Sequence, residues 1–220
     1  MSVKFSKWCV LPAAVLLLGT VALAQDPASS GTPAQSSTPA ATAPAKQPTI
    51  AQRKENQQDR IAQGVKSGQL TAGETANLET KEAAINGETR ADRAANGGKL
   101  TQTEKQQINK QQNQLSKQIY NDKHNANVQQ YGNNKVDQRR ENQQDRIAQG
   151  IKSGQLTAGE TAKLENQQKN INQQVKADRA ANGGKLTPGE KKQVNKEQNA
   201  ASKNIYNKKH NANTQSGTKK

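Results

Sequence analysis

Residues 53 to 127 align with residues 139 to 213 at a constant offset of 86, without a gap, and 54 of the 75 aligned pairs are identical. A repeat of this length means that one set of local folding signals is written twice, so the fold has to be assembled from two copies of one unit. Within each copy runs a fainter 30-residue repeat, in which Leu70, Thr71, Glu74, Leu78, Ile85 and Thr89 correspond to Leu100, Thr101, Glu104, Ile108, Leu115 and Ile119. Its signature, Gly-x-Leu-Thr-x-x-Glu, occurs at Gly68 to Glu74, Gly98 to Glu104, Gly154 to Glu160 and Gly184 to Glu190.

The mechanics of that signature are local. Glycine accepts the positive φ that ends a helix, threonine accepts a bond from the third amide of the next helix, and glutamate reaches back to the threonine amide. In the fourth copy Pro188 takes the first helical position, where its missing N–H is no loss. The spacing predicts an all-α chain of two tandem three-helix units built from helix-GxLTxxE-helix hairpins, after a disordered linker. The helices are expected at about 52 to 66, 72 to 95 and 102 to 125, with equivalents 86 residues later. Apolar positions 78, 85 and 89, and 108, 115 and 119, step by seven and four along one stripe. Glu82, Gln112, Gln168 and Gln198 interrupt that stripe, and Leu115 becomes Ala201 in the second copy. The expectation is a narrow seam too polar to be very stable, favoured over a designed hydrogen-bonding layer.

Composition then excludes a conventional enzyme-sized globule. Hydrophobic residues make up 30% and aromatics 2%, and Phe5 and Trp8, the only residues of their kinds, both fall in the first ten positions. Large apolar side chains that would offset conformational entropy are scarce.

The amino terminus reads as an export signal over residues 1–24. Lys4 and Lys7 precede a nearly all-apolar run from 9 to 23, and Ala22-Leu23-Ala24 supplies small residues before a cut at Gln25. The expected location is therefore periplasmic or secreted, with no transmembrane segment after cleavage. Cleavage removes Cys9, the single cysteine, so the mature chain has no disulfide, thiol nucleophile or thiolate metal site. Residues 25–50, drawn mostly from Ala, Pro, Ser, Thr and Gln, read as a disordered spacer. Unit one is expected at 53–127, a hinge at 128–138 around Tyr131-Gly132-Asn133-Asn134, unit two at 139–213 and a basic tail at 214–220.

The segment Ala62 to Leu78, helix then GxLTxxE then helix, resembles the short bacterial hairpin domain called SHOCT, and also a degraded EF-hand loop. The chain as a whole resembles exported bacterial proteins rich in Gln, Asn and Lys, which implies a location. The EF-hand likeness implies calcium. With Gly98 as the sixth loop position, Leu100 and Glu104 fall at the eighth and twelfth, but Arg93, Ala95 and Gly97 stand at the first, third and fifth, where carboxylates are needed. The other turn places Gln63, Val65 and Ser67 there. What that likeness leaves is a vestigial calcium-binding protein as one alternative.

No catalytic constellation is legible. With no mature cysteine, only His124 and His210, and no glycine-rich phosphate loop after a strand, a nucleophile with its base and orienting partner cannot be assembled. The expectation is no enzyme, no cofactor and no metal. One polar stripe is the nearest thing to a site: Asn109, Asn113, Ser116, Tyr120 and His124 share a helical face and recur as Asn195, Asn199, Ser202, Tyr206 and His210. Amides and hydroxyls beside a Tyr ring suit sugar hydroxyls or a polymer backbone, and they equally suit packing against the other helices of the unit.

The chain carries 33 Lys and Arg against 18 Asp and Glu, a net charge of +15, and that charge is uneven. Unit one has 12 basic and 9 acidic residues, whereas unit two has 15 and 7. A basic patch is expected at Lys191, Lys192, Lys208 and Lys209. Such a surface associates with polyanions by counterion release, without specific nucleic-acid recognition. The sequence therefore points to an exported, non-catalytic interaction module for an anionic cell-envelope polymer or a protein partner. The alternative from another class is a hydrophilic stress-type solvating protein with no dedicated site.

Overall fold

All four GxLTxxE segments end one helix and begin the next in the computed structural model, which describes residues 47–215. The expected signal peptide, the spacer up to residue 46 and the tail from residue 216 lie outside the described residues. Six helices follow in two sets of three: α1 (Ile50–Lys66), α2 (Ala72–Ala95) and α3 (Gln102–Lys123), then α4 (Lys135–Lys152), α5 (Ala158–Ala181) and α6 (Pro188–Lys209). The described residues contain no strand, and the fold is all-α, two tandem three-helix units.

The turns work by the expected chemistry. Thr71, Thr101, Thr157 and Thr187 each accept a bond from the amide of the glutamate three residues on, and the carboxylate of that glutamate accepts one from the threonine amide. The signature glycines Gly68, Gly98, Gly154 and Gly184 all adopt positive φ, between 68° and 87°. One turn earlier, Gly64 and Gly150 permit a close approach: a Cβ there would stand 2.6 Å from the signature leucines Leu70 and Leu156. Alanine at either position would push the leucine out of the core.

Each repeat does not close on itself. α2 packs along α5 and α1 along α4, while α3 rests on α1 and α2, and α6 on α4 and α5. Helices thus pair with their own repeat equivalents at the centre of the molecule, an isologous arrangement within one chain. One apolar cluster spans both repeats, joining Ile61, Leu78, Ile108 and Ile119 to Ile147, Ile151, Leu156 and Ile205.

The polar slots of the seam are buried, and their amides are hydrogen-bonded through their N–H groups. Gln112 and Gln198 are buried, and their side-chain amides donate to the Ile50 and Val136 carbonyls at 2.9 and 2.8 Å. Gln57 donates to the Gln112 carbonyl and the Ser116 hydroxyl, and Gln143 does the same to Gln198 and Ser202. Gln168 donates to the Gln143 carbonyl oxygen of its side chain at 3.2 Å. These amides tie the outer helix of each repeat to its first helix, forming a hydrogen-bonded layer inside the bundle. The side-chain oxygens of Gln57, Gln112, Gln168 and Gln198 are buried without a hydrogen-bond partner, so these four amides are satisfied on their donor side only.

α4 begins at Lys135, within the stretch 128–138 expected as a hinge. The residues before it are held down: the Gln129 amide donates to the Gly68 carbonyl at 2.8 Å, and the Arg140 guanidinium lies 5.3 Å from the centre of the Tyr131 ring.

Candidate functional site

The first turn of α4, the last turns of α5 and the first half of α6 come to one end of the molecule because α5 and α6 are joined by a tight GxLTxxE turn and α4 packs on both. Between them lies a cavity of about 790 Å³, lined by Asn134, Lys135, Val136, Arg139, Arg179, Gly184, Lys185, Leu186, Lys191, Asn195 and Asn199. Val136 and Leu186 form an apolar floor, and five cationic side chains and three amides surround it. None of the lining residues is acidic.

The cations differ in how they are held. Arg179 donates to Asp137 at 3.0 Å and to Asn134 at 3.3 Å, and Arg140 pairs with the other Asp137 oxygen at 2.8 Å. Burial pushes the Asp137 carboxyl up, but hydrogen bonds from Arg179 and Asn134 and the two guanidinium charges outweigh it and hold it below the ordinary range. Arg139 donates to Asn199 at 2.9 Å, a neutral partner that orients the guanidinium and leaves its charge uncompensated. Lys135, Lys185 and Lys191 are exposed, and among the described residues no carboxylate forms an ion pair with any of them.

Repeat one has the corresponding groove, about 590 Å³, lined by Pro48, Thr49, Ile50, Ala51, Arg93, Gly98, Lys99, Leu100, Lys105 and Asn109. Its cations number three, because Thr49, which caps α1, stands where repeat two has Lys135, and Arg53 does not reach the lining.

The expected polar stripe divides. Asn109 and Asn195 line the two grooves. Asn113 and Asn199 accept from Arg53 and Arg139, and Ser116 and Ser202 accept from buried Gln57 and Gln143, so the serines are spent on packing while Asn199 also lines the groove of repeat two. Tyr120 and His124 lie at the far end of α3, as do Tyr206 and His210 on α6. Each pair is stacked with ring centroids 4.2 Å apart, and each His Nδ1 lies 2.7 Å from the tyrosine carbonyl. Tyr120 and Tyr206 are more than half exposed. Both histidines follow the last helical residue, closing their helices.

The expected basic patch is not one surface. Lys191 lines the groove, Lys192 is exposed beside it, and Lys208 and Lys209 lie roughly 25 Å away along α6. Lys208 sits 3.7 Å from a Glu160 oxygen. The Lys209 stem covers Gly150, and burial together with Arg146 lowers its pKa. Sequence reasoning missed Lys135, Arg179 and Lys185 as groove residues. Their only signal was position: each stands at or beside a helix terminus, and the hairpin pattern brings those termini to one end.

The signature glutamates are committed to the turns. Glu74 and Glu160 bind the Thr71 and Thr157 amides and also accept from Asn125 and Asn127, and from Asn211 and Asn213. Among the described residues no group of three His, Cys, Asp or Glu side chains is placed to hold a metal ion. No helix among them is long and apolar enough to cross a membrane. No protein-family model, curated protein or solved structure matches the chain.

Proposed function

We propose that this chain is a non-catalytic, exported helical repeat protein that holds an anionic polymer of the cell envelope in the groove of repeat two. The supporting observation is the groove itself: Lys135, Arg139, Lys185 and Lys191 converge there, and no carboxylate lines it. A basic chain can be soluble with its lysines scattered, whereas lysines from two helices and a turn around one concavity raise the local potential and concentrate anions. The amides of Asn195 and Asn199 add directional contacts at the same place.

The test uses the whole mature chain, because one apolar cluster is shared by both repeats and neither is closed alone. Binding of a heparin-like polyanion is titrated across salt for the native chain, for Lys135→Gln/Lys185→Gln/Lys191→Gln, and for Lys110→Gln/Lys117→Gln/Lys203→Gln, an equal charge change outside the groove. The groove variant is expected to lower the slope of log affinity against log salt by about 2, with the control changing it far less. Equal losses in the two variants would count against a groove-centred function.

A further inference from the structure

Charge alone does not account for the groove, because its floor is apolar. Val136 and Leu186 are only 8% and 7% exposed, and both belong to a small cluster with Ile171, Val175, Val194 and Ala201. A ligand made only of charge would leave that floor wet, whereas concave sites usually pair an apolar surface with a few directing polar groups.

Resting on the function proposed above, we infer that the ligand is an acidic glycan, whose sugar ring lays a C–H face on Val136 and Leu186 while its acid groups meet Lys135, Lys185 and Lys191. The Asn195 side-chain amide offers both a donor and an acceptor, the pattern that vicinal hydroxyls require, and Asn199, whose oxygen accepts from Arg139, adds its amide N–H groups. Repeat one keeps the same design with Ile50 and Leu100 as floor and Asn109 beside Arg93, Lys99 and Lys105, and is a weaker second site for the same polymer.

Other anions fit less well. Nucleic acid bound as a single strand relies on aromatic platforms for its bases, and no aromatic residue lines the groove. An acyl chain needs a long apolar slot, and this floor is two side chains wide, ringed by amides. Polyphosphate has nothing to place on the floor.

The experiment measures binding of the full mature chain to oligogalacturonate, polyphosphate and polyglutamate of matched charge number, and to phosphatidylglycerol vesicles, at one ionic strength. Oligogalacturonate is expected to bind at least tenfold more tightly than polyphosphate or polyglutamate, with vesicles weaker still. Leu186→Asn, and Val136→Thr as the nearly isosteric variant that keeps the fold if the first does not, are expected to lower oligogalacturonate affinity and narrow the gap to under threefold. Polyphosphate, polyglutamate or vesicles binding as tightly as oligogalacturonate would overturn the glycan and leave the anion-binding function standing. Failure of every probe to bind would overturn both.

Discussion

The two repeats share helix lengths, capping boxes and buried glutamines, yet they fill the groove end differently. Ile50, Ile108 and Leu115 in repeat one become Val136, Val194 and Ala201 in repeat two, whereas Thr89 to Val175 and Val65 to Ile151 run the other way in apolar content. In repeat one, Leu115 carries the seam from Ile85, Leu100 and Ile108 into the core that spans the molecule. In repeat two, Ala201 is too short to do so, and Val136, Ile171, Val175, Leu186 and Val194 form a separate cluster with it. The cavity is correspondingly larger, about 790 Å³ against 590 Å³, and more cationic. The helix frame is thus set by turns and the shared centre, and the ends are free to diverge.

The strongest way to break this comparison is Leu115→Ala, which gives repeat one the residue of repeat two. It is expected to cost about 2–5 kcal/mol, read as a lower midpoint in urea unfolding. A loss under about 1 kcal/mol would show that Leu115 does not join the seam to the core.

A second difference lies at the centre, where buried Glu82 faces the interior and repeat two has Gln168. Burial raises the Glu82 carboxyl to about 7, against the pull of Lys54, and raises its neighbour Glu165 to about 8. Glu79, the equivalent of Glu165, is raised well above its ordinary value by burial and by the nearby Glu82 and Glu165, despite a hydrogen bond from Gln58. A carboxyl raised in the folded state keeps its proton where the unfolded chain has lost it. Its stabilising effect is complete below pH 4.5 and declines as pH rises toward about 8. Asp137, Glu74 and Glu160 act in the opposite sense, since their carboxyls are lowered and their contribution is lost only as acid protonates them. Stability is therefore expected to peak near about pH 5. Glu82→Gln is expected to add about 1–3 kcal/mol at pH 8 and little at pH 4.5, measured by denaturant unfolding at both values. Greater stability of the native chain at pH 8 than at pH 5 would contradict the buried placement of these groups.

The capping boxes that open α3 and α6 are where the repeats agree, so they give the smallest contrast. Thr101→Ala and Thr187→Ala should each lower stability by about 0.5–2 kcal/mol, and by nearly equal amounts, because each threonine accepts from its glutamate amide at 3.3 Å. A clear inequality in thermal unfolding would show that Pro188 alters the start of α6.

The hairpins were legible because their signals are local. A glycine, a threonine and a glutamate at fixed spacing determine a turn wherever they occur, and α2 and α5 occupy the expected residues. What pairs with what was not legible. Glu79, Gln58, Glu165 and Gln144 carry no sequence signal of burial, but they are buried and bonded in pairs, Gln58 to Glu79 at 3.0 Å and Gln144 to Glu165 at 2.9 Å. Sequence polarity does not distinguish a side chain bonded to water from one bonded to another helix of its own repeat. The groove was half legible: Asn195, Asn199 and Lys191 were singled out, but Lys135 and Lys185 join them only when distant helix ends meet.

The difference between the grooves is tested most directly by following backbone and side-chain amide resonances of the full mature chain during titration with an acidic oligosaccharide. Asn195, Asn199, Lys185 and Lys191 are expected to shift first, and Asn109, Lys99 and Lys105 only at higher ligand concentration. Equal shifts at the two grooves, or first shifts at Tyr120, His124, Tyr206 and His210, would contradict the assignment of binding to repeat two.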